Sequence, residues 1–174
     1  MPSGNWPAFG TPYRSGPCPV PPPGWVDWES PMRLALTQAE QAADKGEIPI
    51  GAVLLGPGGE LLAAEHNRCV ERADPTAHAE ILALRCAGVA LNNYRLTETI
   101  LFCTLEPCLM CSGALIHSRV SGLVYGATDL RAGAVTSQID SLNLPFHNHH
   151  PWHMPGILAE ECAALLRAFF ERRR

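Results

Sequence analysis

Residues 99–125 read TILFCTLEPCLMCSGALIHSRVSGLVY. The run Thr99-Ile-Leu-Phe-Cys103 is short, apolar and rich in β-branched and aromatic side chains, as a buried strand is. Pro107 then opens a helix to about Ser118, and Val120-Ser-Gly-Leu-Val-Tyr125 is a second strand. Strand, helix and strand in that order form a crossover unit, with parallel strands and the helix on one face. The fold class follows: α/β, with a partly parallel sheet between helices.

Upstream, Ser30 as cap and Pro31 at the first helical position start a helix. Met32, Ala35, Leu36, Ala39 and Ala43 recur along it until Gly46 stops it. Residues 51–55 and 60–64 flank Gly56-Pro-Gly-Gly59 and read as a hairpin. A second helix spans 75–88. Downstream, 127–155 reads as irregular, and its His147, His149, His150 and His153 as an exposed, solvated loop rather than a second metal site. The last helix runs from 157 to about 172. Its Leu165, Leu166 and Phe169 are expected to face the core, leaving Phe170 and the arginines 172–174 at the rim.

The first 24 residues hold eight prolines, which fits an extended chain and no helix or central strand. Residues 1–29 are therefore expected to be a flexible Pro-rich tail, and 30–174 one domain. Trp6, Phe9, Tyr13 and Trp25 are the residues that would dock such a tail. A length of 174 residues suits that division, and 47% hydrophobic with 17% charged residues excludes a wholly disordered chain. No run of about 18 apolar residues exists to span a membrane, and the proline-rich start lacks the apolar segment of a secretory signal. A cytoplasmic protein is expected. Its seven cysteines should then be reduced, with Cys86, Cys103 and Cys162 serving as small core residues. The net charge of -4 gives no general attraction for nucleic acid, so any such contact must be local.

Two segments carry chemistry: His78-Ala79-Glu80 and Pro107-Cys108-Leu109-Met110-Cys111, each near a helix start. Catalytic zinc takes three protein ligands and keeps one position open. Cys108 and Cys111, three apart on a helix, can reach one ion, and His78 supplies the third donor if the two helix starts lie side by side. Helix N-termini favour thiolates. Glu80 would stay unligated and move protons. A redox role for the cysteine pair leaves His78 and Glu80 unexplained.

The pattern H-x-E followed by P-C-x-x-C resembles the zinc nucleobase deaminases. The chain is similar to the bacterial tRNA-specific adenosine deaminases over about residues 30–174. The likeness lies in Ile48-Pro-Ile-Gly-Ala-Val53, Asp74-Pro-Thr-Ala-His-Ala-Glu-Ile81, Asn93-Tyr-Arg-Leu96, Thr104-Leu-Glu-Pro-Cys-Leu-Met-Cys111, Ile116-His-Ser-Arg119 and Gly156-Ile-Leu-Ala-Glu-Glu-Cys-Ala-Ala-Leu-Leu166. The loop 142–155 departs from it. The resemblance implies a cytidine-deaminase-like, three-layer α/β/α fold with a five-stranded mixed sheet, and a homodimer. It implies one Zn²⁺ per subunit on His78, Cys108 and Cys111, with Glu80 as the catalytic proton carrier. Hydroxide formed at the zinc would attack C6 of a flipped adenine at tRNA position 34, giving inosine. Asn67 would hydrogen-bond the flipped nucleotide, Asp129 would lie near the target ribose, and Phe170 and Arg173 would meet the anticodon stem-loop. The competing expectation is a zinc deaminase of a free nucleobase or nucleoside such as guanine or cytosine.

Overall fold

The computed structural model describes residues 27–173; the Pro-rich segment before them, with its Trp6, Phe9, Tyr13 and Trp25, and Arg174 lie outside the described residues. Five strands form one sheet: β1 Gly51–Leu55, β2 Leu61–His66, β3 Ile100–Leu105, β4 Gly122–Ala127 and β5 Trp152–Pro155. Their order is β2-β1-β3-β4-β5, with β1 antiparallel to β2 and β3, and β3–β4–β5 parallel. The sheet is mixed, as the resemblance implies.

Central strands covered on both faces are apolar at every position. On β1, β3 and β4, Ala52, Leu54, Leu101, Cys103, Leu123 and Tyr125 point to one face, where α3 (Ala79–Ala90) and α4 (Leu109–Ser118) pack. Val53, Leu55, Ile100, Phe102 and Val124 point to the other, toward α1 (Glu29–Asp44) and α5 (Ala159–Glu171). That is the three-layer arrangement. A single-turn helix, α2 (Cys69–Arg72), links β2 to α3.

The ends of the elements differ from the sequence reading for local reasons. Just before α1, the Asp27 carboxylate accepts from the N–H and hydroxyl of Ser30, which lies inside the first turn rather than at the cap. Trp28, grouped with the tail by composition, is buried, with its ring 6.1 Å from Phe102 and 6.2 Å from Trp152. The helix ends as expected at Gly46, whose φ of 77° suits glycine, with Gly46 N–H on Ala43 O and Glu47 N–H on Ala42 O.

Residues 127–155 are not wholly irregular. They hold a 3₁₀ turn (Ser141–Asn143) and the edge strand β5, framed by Pro151 and Pro155. Nor is the histidine cluster solvated. His147, His149 and His150 are half-buried against the carbonyls of Ser141, Val120 and Leu142, and His153 is buried on β5. Cys103 and Cys162 are core residues, but Cys86 is exposed, because positions 85 and 86 of α3 turn away from the sheet. On α5, Phe169 is buried while Leu165 and Leu166 are only half-buried.

The tightest packing in the sheet lies at Gly51. A Cβ there would meet the backbone of α1, 2.0 Å from Ala35 O and 2.7 Å from Ala39 N. Gly113 in α4 has nothing within 4 Å of such an atom. Gly51→Ala should therefore destabilise the domain by about 3 kcal/mol. Gly113→Ala should gain about 0.5 to 1 kcal/mol through helix propensity. Urea midpoints at unchanged m decide it; equal midpoints for the two variants would contradict this packing.

Candidate active site

The carboxyl ends of β3 and β4, the start of β1 and the end of β2 share one edge of the sheet, as Gly51 opposite His66 and Leu105 opposite Ala127 show. In open α/β sheets that edge is where ligands bind. The segments that follow β2, β3 and β4 deliver side chains to it.

His78 and Cys108 occupy the capping positions of α3 and α4, with extended backbone in both (ψ 150° and 173°). Neither side chain caps its helix; each carbonyl accepts the first helical bond, from Leu82 and Ser112. Both helices thus begin two to four residues later than their prolines suggest, and Cys111 follows in the first turn of α4. With the two helices packed together, His78 Nδ1 lies 3.7 Å from Cys108 Sγ and 3.6 Å from Cys111 Sγ. All three donor atoms fall within 4.8 Å of one another, the one such group among the described residues. A tetrahedral zinc with ordinary bond lengths sets nitrogen and sulfur about 3.6 Å apart. The donor set and its spacing fit zinc.

Electrostatics agree. The Cys108 thiol is held down to about 4, first by the hydrogen bond from Cys111 and then by His78. Cys111 is pushed up as the donor of that bond and by burial, and His78 is raised by its bond to Cys108. One thiolate forms readily here, and a cation is what allows the second.

Glu80, in the first turn of α3, is 3% exposed, and its Oε2 has no hydrogen-bond partner. Burial raises its pKa, which suits a group that must carry a proton. A carboxylate oxygen left without a partner inside a protein is costly, and here it lies beside the donor cluster.

Asn67 lies at the same edge, buried after β2. Its N–H donates to Ile50 O at 3.1 Å, and its Oδ1 accepts from Ala79 N–H at 2.8 Å, between His78 and Glu80. Those bonds fix the carboxamide and leave its NH₂ as the available donor. Behind it stand two residues that motif reading passed over. Lys45 Nζ, a donor only, lies 3.1 Å from His66 Nε2, so the neutral ring carries its proton on Nδ1 and gives it to Asn67 O at 2.8 Å. Asp129, just beyond β4, uses Oδ1 to accept from the N–H groups of Arg131 and Ala132. Phe170 is 49% exposed. Arg173 is not at the donor cluster: it donates to Gly46 O at 2.7 Å and lies 4.2 Å over the Phe169 ring, tying the end of α5 to the end of α1.

The family profile of the MafB19-like deaminases matches residues 26–174. The tRNA-specific adenosine deaminase of Haemophilus influenzae is 44% identical over 146 residues, 84% of each chain. A solved structure from a study of A-to-I editing by tRNA:A34 deaminases at the wobble position superposes with a TM-score of 0.77 at 42% identity, covering 79% of this chain and 99% of the other. A guanine deaminase from Nitrosomonas europaea superposes less closely, with a TM-score of 0.69 at 26% identity over 83% and 85% of the two chains.

If Glu80 carries protons and the other three residues hold metal, Glu80→Ala keeps about one zinc per subunit and loses deamination by 10²- to 10⁴-fold. Cys108→Ala and Cys111→Ala lose the zinc itself. Metal analysis beside a deamination assay checks both, and zinc loss in Glu80→Ala equal to that in Cys108→Ala would make Glu80 a ligand.

Proposed function

This chain belongs to the MafB19-like deaminase family, among the tRNA-specific adenosine deaminases, and we propose that it converts adenosine to inosine at wobble position 34 of tRNA by hydrolysis. The observation that carries the reading is the contrast in similarity: 42–44% identity to tRNA adenosine deaminases against 26% to a guanine deaminase. The free-base alternative is set aside on that ground.

His78, Cys108 and Cys111 would hold one zinc per subunit, which supplies Lewis-acid activation of water. Glu80, buried and unligated, holds a proton at Oε2 and passes it to the adenine ring nitrogen. It takes a second proton from the hydroxyl that water has added at C6 and gives it to the amino group as ammonia leaves. The buried edge limits water and strengthens these transfers. Asn67, with its oxygen committed to Ala79, presents its NH₂ to the flipped nucleotide, and Asp129 lies near the target ribose. Phe170 offers an exposed ring for stacking against the anticodon stem-loop. Arg173 holds the helix end that displays it and adds a cation there.

A homodimer suits the surface of α3 and α4. A groove of about 830 Å³, lined by Ile81, Leu84, Val89, Tyr94, Ala114 and others, leaves Val89 83% exposed in a single copy. No helix among the described residues is long and apolar enough to cross a membrane, and we place the enzyme in the cytoplasm with its tRNA. The catalytic unit begins at Asp27, since Asp27 holds the start of α1 and Trp28 is buried, and the residues before it are an extension that turnover does not need.

The test is incubation with an A34 tRNA transcript and with free guanine, cytosine and adenosine. Inosine at position 34, read by sequencing, with kcat/KM above that for every free base or nucleoside, is expected. Faster release of ammonia from a free base would overturn the RNA assignment.

A further inference from the structure

Glu106 closes the loop between β3 and Cys108. It is 2% exposed, and among the described residues no Arg, Lys or His forms an ion pair with it. A buried carboxylate must find donors elsewhere. Here the segment after β4 supplies them all. Oε1 accepts from the N–H groups of Val135, Thr136 and Ser137 at 3.1, 2.7 and 2.9 Å. Oε2 accepts from Asp129 N–H at 3.0 Å and from the Ser137 hydroxyl. Successive amides converging on one anion form a nest, closed in this case around the protein's own side chain.

The main chain holds the same two segments together. Glu106 N–H donates to Ala127 O at 2.8 Å, and Ala134 N–H donates to Pro107 O at 2.9 Å. Gly133 bridges to Cys108 itself. At Gly133 a Cβ would lie 2.5 Å from the Glu106 carboxyl and 2.6 Å from Asp129 O, so residues 128–137 wrap the carboxylate too closely for any side chain there.

We propose that Glu106 is a positioning residue for the reaction: it fixes Asp129 and its segment against the Cys108 turn, and so sets the substrate's ribose relative to the metal ligands. The inference rests on Asp129 as a substrate contact. Glu106 touches neither metal donors nor substrate by its side chain; its effect passes through the backbone of Asp129. A purely structural carboxylate would lower stability and leave turnover by the folded fraction unchanged.

Glu106→Gln keeps the shape and replaces one acceptor oxygen by a donor. The measurements are zinc content, thermal midpoint, and kcat and KM on A34 tRNA well below the midpoint, in the parent and in an Asp129→Ala background. Misplacement of a substrate contact predicts a fall in kcat/KM of about tenfold or more, mainly in KM, with zinc retained. In the Asp129→Ala background that fall should shrink to within about twofold, because both changes act through one contact. An unchanged kcat/KM in Glu106→Gln, or an equal fall in both backgrounds, overturns the proposal. Should Glu106→Gln unfold or lose zinc, Ser137→Ala removes one hydroxyl donor and leaves the amides. It should lower kcat/KM about threefold in the parent alone, and no change there also overturns the proposal. If the parent fails to deaminate tRNA at all, it is the functional reading that fails, which the parent arm shows by itself.

Discussion

Two thiols, an imidazole and a carboxyl group meet at one sheet edge, the first three at a spacing that fits a metal ion. Burial and the hydrogen bond to Cys108 push the Cys111 thiol up, and beside it Glu80 keeps a buried oxygen with no hydrogen-bond partner. Because His78 and Cys108 are the capping positions of their helices, the donor group also dictates how α3 and α4 begin and that they lie side by side. The parallel pairing of β3 and β4, with α4 as crossover, is the chain path that brings this about. Metal site and topology are therefore one constraint seen at two scales.

Around it the loops are held by polar groups inside rather than by solvent. Glu106 gathers the segment after β4. Glu47, buried beyond the end of α1, accepts from Glu71 N–H at 2.8 Å and steadies α2. Lys45 and His66 brace Asn67 from behind. Each is a charged or titratable residue whose partners lie mostly on another segment. Loops that must place catalytic groups to within a fraction of an ångström gain rigidity from such bonds.

That same non-locality separates what is legible in the sequence from what is not. The crossover at 99–125 is local, since apolar runs and a proline-led helix announce themselves over a few residues. His78, Glu80, Cys108 and Cys111 are legible because their spacing along the chain is also their chemistry. Strand β5 is hidden because four residues, the last of them a proline, carry too little pattern, and its partner β4 lies far upstream. Glu106 looks like an ordinary acid at a strand end; only the folded chain reveals the amide and hydroxyl donors from 129–137 that surround it. Cys86 misleads in the opposite sense, since apolar neighbours in sequence do not place it on the inward face of α3. Arg173 shows the same limit: a terminal arginine suggests phosphate, whereas its partners in this chain, Gly46 and Phe169, belong to the fold.

The central claim is that His78, Cys108 and Cys111 alone hold the metal, leaving one position for water and Glu80 outside. X-ray absorption at the zinc edge of the purified protein reads this coordination sphere directly. The account predicts two sulfur neighbours at about 2.3 Å and two light-atom neighbours at about 2.0 Å, with the spectrum unchanged in Glu80→Gln. Three or four sulfurs, or a light-atom shell that shrinks in Glu80→Gln, would contradict it.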